Sequence, residues 1–179
     1  MNALPPVQMG NSILAGKVTS LLDAASIAGA YQIGEESKLG VVVRTDIEDV
    51  LSVLDALRQG NEDSSEDGDA GLQFDQLIDV FGADVRERIE VTYRLRSLSS
   101  NADVIVKFEL PYGGTYHSVG EVYAAAWMPE RELCEMFGLV LENHPNPKRL
   151  LTTEGLPPFL RKEVAIRTKE DIWGSPTWE

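Results

Sequence analysis

The chain has 179 residues, 43% of them hydrophobic and 25% charged, a composition that fits one domain with a filled core and excludes wholesale disorder. Its 16 basic and 29 acidic residues leave a formal charge of -13, a field that repels nucleic acid. One cysteine, Cys134, excludes an internal disulfide. With two histidines it also excludes a cysteine-rich zinc or iron-sulfur site, so the expectation is a reducing compartment and no redox cofactor on this chain.

Residues 1–12 lack the basic start, apolar core and cleavage site of a secretory signal, and the longest nearly uncharged apolar stretch, 122–128, is far short of the ~20 residues that cross a bilayer. A cytoplasmic chain is expected. Ser12 is placed to cap a helix whose apolar positions Leu14, Val18, Leu21, Leu22 and Ala25 recur at helical spacing, with Gly29 placed to end it. The β-branched run 38–44 predicts a strand. Thr45 and Glu48 read as a capping box for a second helix, whose stripe of Ile47, Val50, Leu51, Leu54 and Leu57 stops at Gly60.

Segment 60–71 has five acidic residues and nothing large to bury, which predicts a solvated loop; its spacing does not match a calcium-binding EF-hand. A strand is expected to begin in 74–80. Ile89, Val91, Tyr93 and Leu95 alternate along one face, as do Val104, Val106, Phe108 and Leu110, and the short segment between them predicts an antiparallel hairpin with one wet face. Ser118 and Glu121 read as another capping box. Pro129 suits the first turn of a helix running to Phe137 and closed by Gly138. From Asn143 onward, five prolines in 37 residues and no sustained period predict an extended tail.

In segment 130–138, Arg131 and Glu135 lie four apart and are expected to pair across one helical turn. Glu132 and Glu135, with His144 as a nitrogen donor, resemble half of a carboxylate metal site, but the second half that di-iron bundles require is missing. Cys134 has no activating neighbour in sequence and reads as a packed thiol. His117 and His144 fall on different elements and make no nucleophilic triad by spacing. Glycines 113 and 114 read as a turn. The residues alone describe a small α/β domain without a convincing catalytic constellation, more like a subunit than an enzyme.

The stretch 130–151, with Glu130-Arg131-Glu132, an acid at Glu135, apolar Met136 and Phe137, then His144 and Lys148, resembles the signature of the 30 kDa subunit family of respiratory complex I, the proton-pumping NADH:quinone oxidoreductase. Segments 74–84, 89–100 and 159–163 extend the resemblance. Against the family pattern, Glu135 stands for an aspartate and Asn143 for a glycine. The resemblance implies a non-catalytic accessory subunit of the soluble arm, at the cytoplasmic face of the membrane. Its implied partners are the large hydrogenase-like subunit and the small iron-sulfur subunit, which would carry the clusters. Equivalent subunits of membrane-bound nickel-iron hydrogenases and related ion-pumping complexes are the alternative; from another class, so is a free-standing metal-dependent enzyme.

The expected architecture is α+β: a two-layer domain of helices packed on a small, largely antiparallel sheet over 1–144, then an extended partner-binding tail over 145–179. Residues 146–179 hold six basic and five acidic side chains, against 10 and 24 in residues 1–145. The subunit-interface candidates are Glu130, Arg131, Glu132, Glu135, His144, Lys148, Arg149, Phe159, Arg161, Lys162, Trp173 and Trp178, with Arg161 and Lys162 expected to meet acidic or carbonyl groups of the large subunit. The alternative is a tail that lies back on its own domain.

Overall fold

The computed structural model describes residues 11–27, 31–37, 40–61 and 71–164. The expected helix stop at Gly29, the start of the strand at Lys38, most of the acidic loop and the anchors Trp173 and Trp178 lie outside the described residues.

Helix α1 (Asn11–Ala24) buries Leu14, Val18, Leu21 and Leu22 of the predicted stripe together with Ala15, whereas Ala25 is exposed past the helix end and Ser12 lies within the helix instead of capping it. Strand β1 (Tyr31–Ser37) is followed by β2 (Gly40–Thr45), helix α2 (Val50–Gln59), β3 (Gln76–Asp84), β4 (Arg88–Ser97) and β5 (Ala102–Pro111). The five strands form one sheet in the order β1-β2-β5-β4-β3, antiparallel except where β2 runs parallel to β5. Sequence reading missed β1, because its Gln-Ile-Gly-Glu-Glu run has neither a β-branched cluster nor clean alternation.

Two further capping expectations are corrected. Helix α2 begins at Val50, after Thr45 has been drawn into β2, and its N-cap Asp49 makes no side-chain capping bond. The sheet register took the threonine that the capping box needed. At the second site the Ser118 hydroxyl donates instead to a buried carboxylate, and a short 3-10 turn (Ala124–Ala126) leads into helix α3 (Trp127–Phe137). Pro129 sits in the first turn of α3 as expected. Gly138, at φ 66, closes the helix in the left-handed region where a side chain is strained.

The predicted hairpin is present, β4 pairing with β5 from Arg88↔Pro111 to Ser97↔Ala102. Ile89, Val91, Tyr93 and Leu95 face Leu110, Phe108, Val106 and Val104, and this face joins Val41, Val43 and the buried sides of all three helices in one hydrophobic cluster. Each fully buried aliphatic side chain of this kind contributes roughly 1.5–3 kcal/mol relative to an exposed one. The opposite face is ion-paired and only partly wet, since Val42, Thr92, Asp103 and Ile105 are buried on it. Glu90 lies between Arg44 (2.9 Å) and Lys107 (2.6 Å), and Asp103 pairs with Arg94 (2.5 Å) and Arg96 (2.6 Å). Helix α3 packs on β3 at Gly82, where an added Cβ would come within 2.8 Å of the Phe137 ring. A second, parallel pair, β6 (Thr115–His117) with β7 (Val140–Glu142), flanks α3 in the chain.

Candidate functional site

Helix α3 presents Glu130, Leu133 and Phe137 to the core at helical spacing, so Glu130 occupies a position that otherwise takes an apolar side chain. Its surface is wholly buried, 0% exposed. The carboxylate accepts hydrogen bonds from the Tyr93 hydroxyl (2.8 Å), the Ser118 hydroxyl (2.5 Å) and the Val119 N–H (2.9 Å), tying α3 to β4 and to the loop after β6. Desolvation pushes its carboxyl above the usual carboxylate range and prevails over the three donors. Tyr93 and Tyr116 are raised too, burial again leading, and the Cys134 thiol, 3.6 Å from the Tyr116 hydroxyl, is pushed up to about 12 by burial. Cys134 is thus half-buried against the core, and burial disfavours its thiolate. Sequence reading missed Tyr93, Tyr116 and Ser118 here. The available signal was Tyr93 itself, whose hydroxyl needs a partner once alternation places it on the core face.

The second half of the site is a strap, residues 148–162, without regular secondary structure and laid alongside α3. Arg131 donates to the carbonyl oxygens of Lys148 (2.8 Å) and Arg149 (3.1 Å). One turn on, Glu135 accepts the backbone N–H groups of Leu150 (2.6 Å), Leu151 (3.0 Å) and Thr152 (2.5 Å). Burial opposes ionisation of Glu135, yet the donors from Thr152, Leu151 and Leu150 outweigh it and bring its carboxyl down to about 2. Arg149 gathers the intervening loop, donating to Thr152 Oγ1 and to the carbonyls of Thr153 and Leu156.

The strap ends at the other end of α3. Leu160 N–H donates to Met136 O, and the Arg161 guanidinium donates to Phe137 O (2.6 Å) and Gly138 O (3.0 Å), satisfying helix carbonyls that have no partner within the helix. The same guanidinium lies 4.6 Å over the Tyr112 ring. Asp84 completes the anchorage by accepting from Tyr112 Oη (2.5 Å) and the Lys162 N–H (2.7 Å); the Tyr112 bond, then the Lys162 bond, holds it below the usual carboxylate range. Neither Asp84 nor Tyr112 stands out in the sequence, because contacts across 78 residues leave no local signature.

The expected Arg131–Glu135 pair is not formed: each side chain serves the strap backbone instead, the arginine its carbonyls and the glutamate its N–H groups. Arg161 does meet carbonyl groups, but those of its own chain. Glu132 is exposed, and His144 is held by backbone. Its Nδ1 accepts from Asn146 N–H, so Nε2 carries the proton donated to Trp127 O (2.9 Å), which defines the neutral tautomer. Glu132, Glu135 and His144 therefore do not converge, and among the described residues no group of three His, Cys, Asp or Glu is placed to hold a metal ion. Lys148 and Lys162 extend exposed side chains, Phe159 is 40% exposed, and a cleft of about 480 Å³ between the end of α1 and α2 shares no residue with α3 or the strap.

The sequence model described as "Respiratory-chain NADH dehydrogenase, 30 Kd subunit" matches residues 42–170, which include the sheet from β2 onward, α3 and the whole strap. The chain belongs to this family. An NADH-quinone oxidoreductase subunit from Azorhizobium caulinodans is 32% identical over 157 residues, covering 86% of this chain and 68% of the relative. Its counterpart from Paramagnetospirillum magneticum is 38% identical over 104 residues, covering 55% of this chain and 51% of the relative. For that relative and the one from Rhodobacter capsulatus, the matched part spans only about half of the relative's length. In three dimensions, a chain of the membrane-bound sulfane sulfur reductase, an archaeal respiratory membrane complex, superposes with a TM-score of 0.57 at 18% identity, over 71% of this chain and 69% of the other, which shows a shared fold. Asn143 has φ 56, in the left-handed region that asparagine tolerates better than most residues other than glycine.

Proposed function

We propose that this chain is a non-catalytic accessory subunit in the peripheral arm of a complex I-like, proton-pumping NADH:quinone oxidoreductase. It supports the large hydrogenase-like subunit and the small subunit that bears iron-sulfur clusters, at the cytoplasmic face of the membrane. No helix among the described residues is long and apolar enough to cross a membrane. The observation that carries the reading is the use made of the family signature: Glu130, Arg131, Glu135, Arg149 and Arg161 all bind this chain's own backbone or core hydroxyls, building a shaped surface rather than a reactive cavity. The relatives from Azorhizobium caulinodans and Paramagnetospirillum magneticum, both named as NADH-quinone oxidoreductase subunits, favour this over the equivalent hydrogenase subunit. A free-standing metal-dependent enzyme loses its candidate donor set, since Glu135 and His144 are bound to separate backbone groups and Glu132 is exposed.

The test is affinity purification of the tagged full chain from mild-detergent membranes of its own cells. The expected result is co-purification of iron-sulfur-containing chains with NADH-dependent quinone reduction, and loss of that activity from membranes when the chain is deleted. A chain that purifies alone with stoichiometric iron or flavin, or a deletion that leaves the activity intact, overturns the proposal.

A further inference from the structure

Among the buried acids, Glu130 differs in its company. Asp103 is ion-paired with Arg94 and Arg96, Asp84 accepts from Tyr112 and the backbone N–H groups of Arg86 and Lys162, and Glu135 accepts three backbone N–H groups. These three carboxyls are all held below the usual range. Glu130 is 0% exposed and forms no ion pair among the described residues; its partners are a phenol, an alcohol and one N–H. The titratable groups that face it are Tyr93 on β4, Tyr116 on β6, Cys134 on α3 and His144 after β7. Burial keeps the two phenols and the thiol neutral, and the bonds of His144 define its neutral tautomer, so no cation balances a carboxylate at this point. A chain at -13 adds a field against one more negative charge, and burying an unpaired carboxylate costs far more than burying a hydrogen-bonded acid.

The hydroxyl network can hold the acid's proton. Glu130 Oε1 lies 2.8 Å from Tyr93 Oη, Tyr93 is hydrogen-bonded to Tyr116, and Tyr116 Oη lies 3.6 Å from Cys134 Sγ. Each hydroxyl both donates and accepts, so the chain runs in either direction: from the thiol toward an ionised Glu130, or from the O–H of a neutral Glu130 through Tyr93 and Tyr116 to the sulfur as last acceptor. In the second direction Ser118 and the Val119 N–H still donate to the carboxyl oxygens, and every group keeps a partner. We propose that Glu130 is a neutral carboxylic acid in the folded chain and acts as a proton lock on α3: opening of the helix releases the proton to water, so the lock loosens as pH rises. The strap shares in this response, because Arg131 and Glu135, which hold it, stand on the same helix within five residues of Glu130. The inference concerns this chain alone and does not depend on which complex contains it.

The experiment has two readouts on the purified full chain. Infrared spectroscopy at about pH 7, where ordinary carboxyls are ionised, should show the carbonyl stretch of one protonated carboxylic acid. The band should vanish in Glu130→Gln, persist in Glu132→Gln at the exposed neighbour, and shift in Tyr93→Phe, which removes a hydrogen-bond partner of that acid alone. The Tyr93→Phe shift assigns the band even if Glu130→Gln does not fold. Hydrogen exchange of the α3 and strap amides, corrected for its intrinsic dependence on pH, should then report an opening equilibrium that grows roughly tenfold per pH unit between about pH 5 and 7, the signature of one proton released on opening. Glu132→Gln should keep this slope, and Glu130→Gln should flatten it. Absence of the carboxylic acid band in the wild type, a band that Tyr93→Phe leaves in place, or an opening equilibrium indifferent to pH overturns the proposal.

Discussion

Replacing Glu135 by glutamine keeps the shape of the side chain and removes the charge that holds the strap. In the wild type one carboxylate accepts three backbone N–H groups at 2.6, 3.0 and 2.5 Å, and its carboxyl lies at about 2 against 4.5 for the free group. A shift of that size corresponds to about 3 kcal/mol at ~1.4 kcal/mol per unit, which solvent screening beside the exposed Leu151 reduces to roughly 1–2 kcal/mol. The glutamine amide can accept from its oxygen, but its NH2 meets a backbone donor, so one N–H loses its partner. Because the folded carboxyl is depressed, the stabilisation is complete above about 4.5 and is lost as pH falls toward about 2. Hydrogen exchange at Leu150, Leu151 and Thr152 should accelerate roughly 5- to 30-fold in Glu135→Gln at neutral pH, with little change in the β4–β5 hairpin. Titrated by NMR, these amide resonances should shift between about pH 4 and 2 in the wild type and stay flat in the variant. Unchanged exchange at the three amides would refute the argument, since the strap would then be held by the arginines alone.

Glu130→Leu leaves the Tyr93 and Ser118 hydroxyls and the Val119 N–H without their shared acceptor, and urea denaturation should show a loss of about 2–4 kcal/mol. Since burial raises the folded carboxyl of Glu130, its contribution is full below the unfolded value and declines as pH rises through the folded one. The stability of Glu130→Gln relative to wild type should therefore improve with rising pH; a flat or opposite difference would show that the donors, not desolvation, prevail. Gly82→Ala places a methyl 2.8 Å from the Phe137 ring and should cost about 1–3 kcal/mol by thermal unfolding, and an unchanged melting temperature would show that α3 can move away from β3. Cys134, with its thiol raised to about 12, should resist maleimide at about pH 7.5 until denaturant is added; stoichiometric labelling of the native chain would show that the thiol is accessible.

The sequence by itself determined the periodic elements: the stripes of α1 and α2 except Ala25 and Leu51, which are exposed, the two alternating strands of the hairpin and the proline-started, glycine-ended α3 are legible because burial on one side imposes periods of 3.6 and 2. It also carried the resemblance to the family, since acids, bases and apolar residues stand at fixed offsets within 130–151. Pairing partners were beyond its reach. Arg131 and Glu135 are ideally spaced for each other, yet a strap 17 or so residues downstream offers carbonyls to one and N–H groups to the other. A backbone that makes no helix or sheet has unsatisfied groups of both kinds, so side chains of both signs are drawn to it in preference to one another. Glu130 shows the same division of labour. Its place on the buried stripe with Leu133 and Phe137 was countable from the sequence, but only the fold brings Tyr93, 37 residues away, and Ser118 to meet its carboxylate, and only that meeting lets a charged residue type occupy the core.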